Sequence, residues 1–104
     1  MIVVNTDFVE GKKIKETIGL VKGNTIQAKS IGNDIKAGFR HMVGGEIKEY
    51  TKMLAESREI ALKRMVEKAE KLNADAVINV RFMTASIMGG AAEILAYGTA
   101  VTLK

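Results

Sequence analysis

The sequence predicts an α+β fold in which an antiparallel sheet packs against one long helix, with residues 1–104 forming a single domain. Apolar residues recur at helical spacing over a long central stretch. Patterns typical of β-strands lie on both sides of that stretch. Hydrophobic residues make up 47% and charged residues 27% of the chain, which is the balance of a folded globule, and no Pro-rich or Ser-rich linker divides it.

The N-terminal part predicts short strands separated by turns. A brief strand is expected over Ile2–Val4, and a second over Lys13–Leu20, where apolar and polar residues alternate. Gly23-Asn24 is a turn dipeptide, so we expect a turn there and a further short strand over Thr25–Ala28.

The segment before the long helix predicts a short helix of its own. Apolar residues fall at helical intervals over Ile31–Val43, although two glycines lower the helical propensity. Gly44-Gly45 follows and predicts a tight turn.

The strongest pattern is a long helix over Glu46–Leu72, which Asn73 can end in the left-handed conformation. Such a helix spans roughly 40 Å, longer than a compact domain of this size, so part of its apolar face needs a second copy of the chain. That face comprises Ile47, Tyr50, Leu54, Ala61, Met65, Ala69 and Leu72, widened by Met53 and Ile60.

The C-terminal part predicts two strands joined by a turn at Gly89-Gly90. In the first, Ile78, Val80 and Phe82 are expected to face one way, and Asn79 and Arg81 the other. The second, over Ala91–Leu103, is apolar on both sides, with Ile94 and Ala96 on one face and Leu95, Tyr97 and Val101 on the other, so it is expected to be covered on both faces.

Composition excludes several classes of function. Without cysteine the chain has no disulfide, thiolate metal site or cysteine nucleophile. The net charge of +4 is spread along the chain, and the three Phe and two Tyr stand at expected core positions, so no nucleic-acid partner is predicted. The N-terminal residues lack the pattern of a signal peptide, so a cytoplasmic location is expected.

A nearly uncharged stretch covers Phe82–Leu103, where Glu93 is the single charged residue. Its paired glycines and β-like alternation argue against a membrane-spanning helix, and no membrane partner is predicted. Burial between copies of the chain explains this stretch better.

Five short segments together resemble the YbjQ-like family of small bacterial and archaeal proteins, which carries a heavy-metal-binding label. The segments are Val43-Gly44-Gly45, Tyr50 with Leu54, Arg58-Glu59-Ile60-Ala61, Ala74-Asp75-Ala76-Val77-Ile78 and Tyr97-Gly98-Thr99-Ala100-Val101. The resemblance spans nearly the whole chain. It implies a dodecin-like subunit, in which a curved antiparallel sheet packs on a long helix, and a ring of several subunits, expected to be five.

His41 is the single histidine and the candidate metal ligand. One imidazole cannot hold a zinc or copper ion, because these ions need three or four ligands. If His41 lined the axis of a ring, copies of it could meet there and bind a metal ion, which is the expected cofactor. The alternative is an exposed or helix-terminal histidine with a local structural role.

Other candidate residues have structural interpretations. Glu93 lies in an apolar strand, and Arg81 of the facing strand is its natural ionic partner, through another copy if the turn places Glu93 opposite Ser86. The methionines, including Met83 and Met88, are expected to fill the core rather than bind copper. Asp75 is expected to accept a hydrogen bond from a backbone amide of a turn.

Three functional hypotheses remain. The first is a ring-forming homo-oligomer that binds a metal ion or small ligand at subunit boundaries. The second is a structural or regulatory oligomer without a small ligand. The third is an enzyme whose site is shared between subunits, for which His41, Glu93 and Arg81 would have to converge. No catalytic motif is present, so no enzymatic activity is predicted.

Overall fold

The α+β prediction is confirmed by a computed structural model, which describes residues 1–28, 42–43, 46–87 and 90–104. The short helix expected over Ile31–Val43 and the Gly44-Gly45 turn lie outside these residues, except that Met42–Val43 forms a strand. The elements are β1 (Ile2–Val3), β2 (Ile14–Ala28), β3 (Met42–Val43), β4 (Glu46–Ile47), α1 (Lys48–Lys71), β5 (Ala76–Ser86) and β6 (Ala91–Leu103).

Four strands form the main sheet in the order β1-β5-β6-β2. β6 is antiparallel to both of its neighbours, whereas β1 runs parallel to β5 over two residue pairs. The sheet is therefore mixed rather than purely antiparallel. β3 and β4 form a separate two-stranded antiparallel pair just before α1.

β2 is one continuous strand of 15 residues, so the turn predicted at Gly23-Asn24 is wrong. The glycine serves a close approach of helix and strand instead. A Cβ atom on Gly23 would overlap the backbone nitrogen of Met65 and the carbonyl oxygen of Ala61. Because only glycine leaves room there, α1 lies directly on β2.

α1 begins at Lys48 rather than at Glu46, because Glu46 and Ile47 pair with β3 before the helix starts. At its other end Asn73 has a φ of 60°, as predicted for the residue that ends the helix. The helix packs on one face of the sheet, and the core there comprises Val21, Ala61, Met65, Ala69, Val77, Val80, Ile94, Ala96 and Ala100.

The buried stripe of α1 differs in part from the predicted apolar face. Ile60 and Leu72 are exposed, whereas the polar Ser57 is buried. Ser57 occupies this position because its hydroxyl donates a hydrogen bond of 2.7 Å to the carbonyl oxygen of Met53, one turn earlier. The spacing of apolar residues did not identify this buried position, because Ser57 is polar.

A second, smaller core lies on the opposite face of the sheet. Val9 of the N-terminal segment covers Ala76, Ile78 and Val101 there. Val101 lies on the face opposite Ile94 and Ala96, as predicted for the two faces of β6. Ile2, Val4 and Leu103 pack around this cluster.

A bulge in β5 changes which way its side chains face. Asn79 has a φ of 54°, and the register with β6 shifts between Ile78 and Arg81. Ile78 therefore joins the second core while Val80 joins the core under α1. The prediction that Ile78 and Val80 share a face is wrong, because strict alternation assumes an unbulged strand.

The molecule is long and thin. Its Cα atoms extend over 53 × 26 × 16 Å, and the radius of gyration is 17.0 Å, compared with about 13 Å for a compact domain of this length. One sheet and one helix make only two layers. The sheet face that points away from α1, called here the open face, is covered by the N-terminal segment near Ile78 and Val101.

Candidate functional site

The open face continues past the N-terminal segment as a three-stranded surface of β5, β6 and β2. Residues opposite one another on antiparallel strands share a face, so the register defines rows of side chains across the three strands. Leu20, Ile26 and Met83 are apolar members of this face, and they are 66%, 58% and 56% exposed. The rows are Arg81–Tyr97–Lys22, Met83–Leu95–Asn24 and Ala85–Glu93–Ile26.

Asn24 is the centre of the polar interactions on this surface. Its side-chain Nδ2 donates a hydrogen bond of 3.1 Å to Oε2 of Glu93. Its backbone carbonyl oxygen accepts a hydrogen bond of 2.8 Å from Nη1 of Arg64 on α1. The helix and β6 therefore both fix the position of Asn24, and Glu93 is held by an amide on the neighbouring strand.

The expected contact between Arg81 and Glu93 does not form within the chain. Glu93 lies opposite Ala85, one residue away from the predicted Ser86, whereas Arg81 lies opposite Tyr97. Four residues of a strand separate the two positions by roughly 13 Å. A contact of Arg81 with Glu93 of another copy stays a prediction.

Arg81 instead anchors the N-terminal segment to β5. Its Nη1 donates a hydrogen bond of 2.8 Å to the carbonyl oxygen of Asn5 and another of 3.0 Å to that of Val80. The guanidinium is thereby turned back onto the backbone of its own chain. The strand beyond Arg81 carries no charged residue as far as Ile87.

The metal prediction falls on a residue that the structure does not describe. His41 and Gly44-Gly45 both lie outside the described residues. Within residues 1–28, 42–43, 46–87 and 90–104, no three His, Cys, Asp or Glu residues are grouped closely enough to hold a metal ion. The donor set for a heavy metal is thus not found in the described part of one chain, and His41 stays a prediction.

The other predictions for individual side chains have mixed outcomes. Met53 and Met65 are buried in the core as expected. Met83 is exposed, as are Phe8 and Phe82, so the prediction that these three fill the core of the chain is wrong. Phe82, on the side of the sheet that faces α1, is exposed because α1 lies mainly against β2 and β6. Met83 is exposed because it lies on the open face, which α1 does not cover.

Asp75 accepts a hydrogen bond from a backbone amide as predicted, but the amide belongs to a strand rather than to a turn. Its Oδ2 accepts a hydrogen bond of 2.8 Å from the backbone N–H of Leu103, and its own N–H donates to the carbonyl oxygen of Val101. The residue therefore connects the start of β5 to the end of β6.

Sequence reasoning missed Asn24 and Arg64 as the partners that organise this surface. Their contacts depend on the register of β2 with β6 and on where α1 crosses β2. Neither is visible as a local motif. The one available signal was Gly23, which was interpreted as part of a turn.

The fold and the surface together define the class: a small two-layer α+β chain whose sheet has an apolar, incompletely covered face. The chain belongs to the YbjQ family, whose model, described as "Putative heavy-metal-binding", matches residues 1–104. This confirms the resemblance found in the sequence. In the described part of the chain, no helix combines the length and the apolar character needed to cross a membrane.

Relatives and a solved structure agree with this assignment. A UPF0145 protein of Methanosarcina acetivorans is 61% identical over 103 residues, which cover 99% of this chain and 97% of that protein. A UPF0145 protein of Fervidobacterium nodosum is also 61% identical, over 100% of this chain and 96% of that protein. These names state no enzymatic activity.

The fold is shared with a crystal structure of a protein of unknown function from Pediococcus pentosaceus, which belongs to the DUF74 family. The TM-score is 0.66, the identity is 18%, and the alignment covers 100% of this chain and 98% of that one. At that identity the likeness supports the fold alone.

Proposed function

We propose that the chain works as a homo-oligomer, a ring of five copies, which binds a heavy-metal ion at the boundaries between copies. The observation that carries the proposal is the incompletely covered open face. Leu20, Ile26 and Met83 lie more than half exposed on it. A sheet face that leaves several large apolar side chains uncovered is typical of an interaction site.

The energy available from covering this surface is substantial. Full burial of one Leu, Ile or Met side chain is worth about 1.5–3 kcal/mol, so completing the burial of Leu20, Ile26 and Met83 contributes several kcal/mol per chain. The long, thin shape supports the same conclusion, because a two-layer slab with a 17.0 Å radius of gyration leaves much of its sheet uncovered. A second copy supplies the missing layer or the missing strands.

The metal part of the proposal also requires several copies. A zinc or copper site needs three or four nitrogen, sulfur or oxygen ligands, whereas this chain has one histidine and no cysteine. A ring repeats His41 once per copy, so five imidazoles could surround one axis. The heavy-metal description of the family supports a metal ion over an organic ligand.

The test is native mass spectrometry of the purified protein with Zn²⁺ added, and metal analysis of the same sample. We expect five copies and about one retained zinc ion per ring, as required for ligands that meet on the axis. His41→Ala should keep five copies and lose the metal. His41→Gln is the matched control for the size of the side chain, and it should also lose the metal.

A monomer at micromolar concentration would refute the oligomer. Retention of the zinc ion by both His41 variants would refute the assignment of that residue. A ring of five copies that takes up no metal would favour the second candidate function, a structural or regulatory oligomer without a small ligand. The observation favouring this second candidate is that the described residues hold no group of metal ligands.

A further inference from the structure

The main sheet has two free edges within the described part of the chain. β2 pairs with β6 along one side and with no other described strand along its second side. The outer side of β5 is occupied by β1 and the N-terminal segment as far as Val80, whose N–H donates to the carbonyl oxygen of Val4. Beyond Val80 no described residue pairs with the outer side of β5.

Beyond Lys22 and Arg81, where the two free stretches begin, the strands themselves carry no charged residue. Among the described residues, the one charged side chain that reaches the backbone of this part of β2 is Arg64 of α1, at the carbonyl oxygen of Asn24. Soluble proteins protect strand edges with charged residues, proline or a covering segment, because the unpaired N–H and C=O groups otherwise attract another strand. The stretches Gly23–Ala28 of β2 and Phe82–Ser86 of β5 have no charged residue, and the chain has no proline. Both edges are therefore chemically suited to receive a strand.

The two edges run in the same direction and lie at the same height along the sheet. Both strands are antiparallel to β6, so they are parallel to each other. Lys22 and Arg81 both lie opposite Tyr97, and at the far end Gln27 and Ser86 both lie opposite Ala92. A rotation axis parallel to the strands relates two copies without shifting them along the strand direction. Such a rotation can therefore place the β5 edge of one copy against the β2 edge of the next at matching positions.

We propose that the free edge of β5 over Arg81–Ser86 in one copy pairs with the free edge of β2 over Lys22–Gln27 in the next copy, as neighbouring parallel strands. The inference rests on the proposed function, since it needs an oligomer, and it names the surfaces that join the copies. Because the two surfaces differ, the contact is head-to-tail. It closes into a ring when the rotation that relates neighbouring copies is 360° divided by a whole number.

A head-to-tail contact satisfies both edges of every copy, and this decides between the possible arrangements. A two-fold pairing of β2 with β2 would leave both β5 edges unpaired, and a pairing of β5 with β5 would leave both β2 edges unpaired. The contact also covers exposed apolar side chains, because Met83 and Ile26 lie next to the two edges on the same face of the sheet.

The absence of cysteine from the chain makes the arrangement testable by cross-linking. Chains with Met83→Cys and chains with Ile26→Cys are prepared separately, unfolded in urea, mixed in equal amounts, refolded together and treated with a short bis-maleimide. We expect a covalent dimer that contains one chain of each kind. Each variant assembled alone should give at least fivefold less dimer. Glu67→Cys, on the exposed side of α1, replaces either partner as the control and should give no dimer.

The outcomes separate this inference from the proposed function, because native mass spectrometry counts the copies in the same samples. Strong dimer formation by Ile26→Cys alone would show a two-fold contact through β2 and would overturn the head-to-tail arrangement. An intact oligomer without the mixed dimer would also overturn it, while the oligomer itself would stand. A monomer in the unmodified protein would refute both.

Discussion

Gly23 fixes the distance between α1 and β2, and the substitution Gly23→Ala tests that role. The new Cβ would overlap the backbone nitrogen of Met65 and the carbonyl oxygen of Ala61, and it would lie 2.8 Å from the carbonyl carbon of Arg64. All three are backbone atoms, so no side chain can rotate away. The helix has to withdraw from the strand, and the core between them loosens.

The magnitude follows from two opposing effects. Overpacking of a filled core costs about 1–3 kcal/mol, and the upper end applies because rigid backbone atoms must move. The lower chain entropy of alanine in the unfolded state offsets about 0.5–1 kcal/mol. We therefore expect Gly23→Ala to lower the free energy of unfolding by about 2 kcal/mol.

Urea unfolding followed by far-ultraviolet circular dichroism measures this change, with all proteins at one concentration because association adds to stability. Gly11→Ala is the matched control. A Cβ on Gly11 meets no atom within 4 Å, and its φ of 77° makes the alanine strained, at about 1 kcal/mol. A loss below 1 kcal/mol for Gly23→Ala, or a larger loss for Gly11→Ala, would refute the reasoning.

Three further substitutions test other contacts. Met65→Ala removes a fully buried side chain and should cost about 2–4 kcal/mol in urea unfolding, so a loss under 1 kcal/mol would contradict its place in the core. Asp75→Ala removes the acceptor for the N–H of Leu103 and should cost about 1 kcal/mol, whereas Asp75→Asn, which keeps an acceptor oxygen, should cost less. Arg81→Ala frees the carbonyl oxygen of Asn5, so amide hydrogen exchange should accelerate in the N-terminal segment but not in α1, and unchanged exchange there would show that the anchor is unimportant.

The sequence was sufficient for the elements whose signals are long and periodic. The pattern around Ala61, Met65 and Ala69 predicted the helix, and the apolar C-terminal run predicted the strand that lies at the centre of the sheet. Asn73 also ended the helix as expected, because its left-handed backbone is a local property of that residue type.

Features that depend on tertiary contacts were not predictable in the same way. Gly23 was interpreted as part of a turn because a sequence does not distinguish a glycine required by a turn from one required by a closely packed helix. The bulge at Asn79 reversed the expected facing of Ile78, and no pattern in the sequence marks it. The surface around Asn24 needed the register of two strands that are far apart in the chain.

The pairing of β2 with β6 also sets the order in which the molecule can be built. Ile14 pairs with Leu103 and Ala28 pairs with Ala91, so the first long strand to be synthesised is matched to the last. At roughly 5–20 residues per second, β2 waits several seconds on the ribosome for its partner. During that time α1 can form from neighbouring residues, whereas β2 depends on the most distant contacts in the fold. A chain cut before Ala91 therefore leaves β2 without its partner strand, and the two free edges come into register only after β6 has been synthesised.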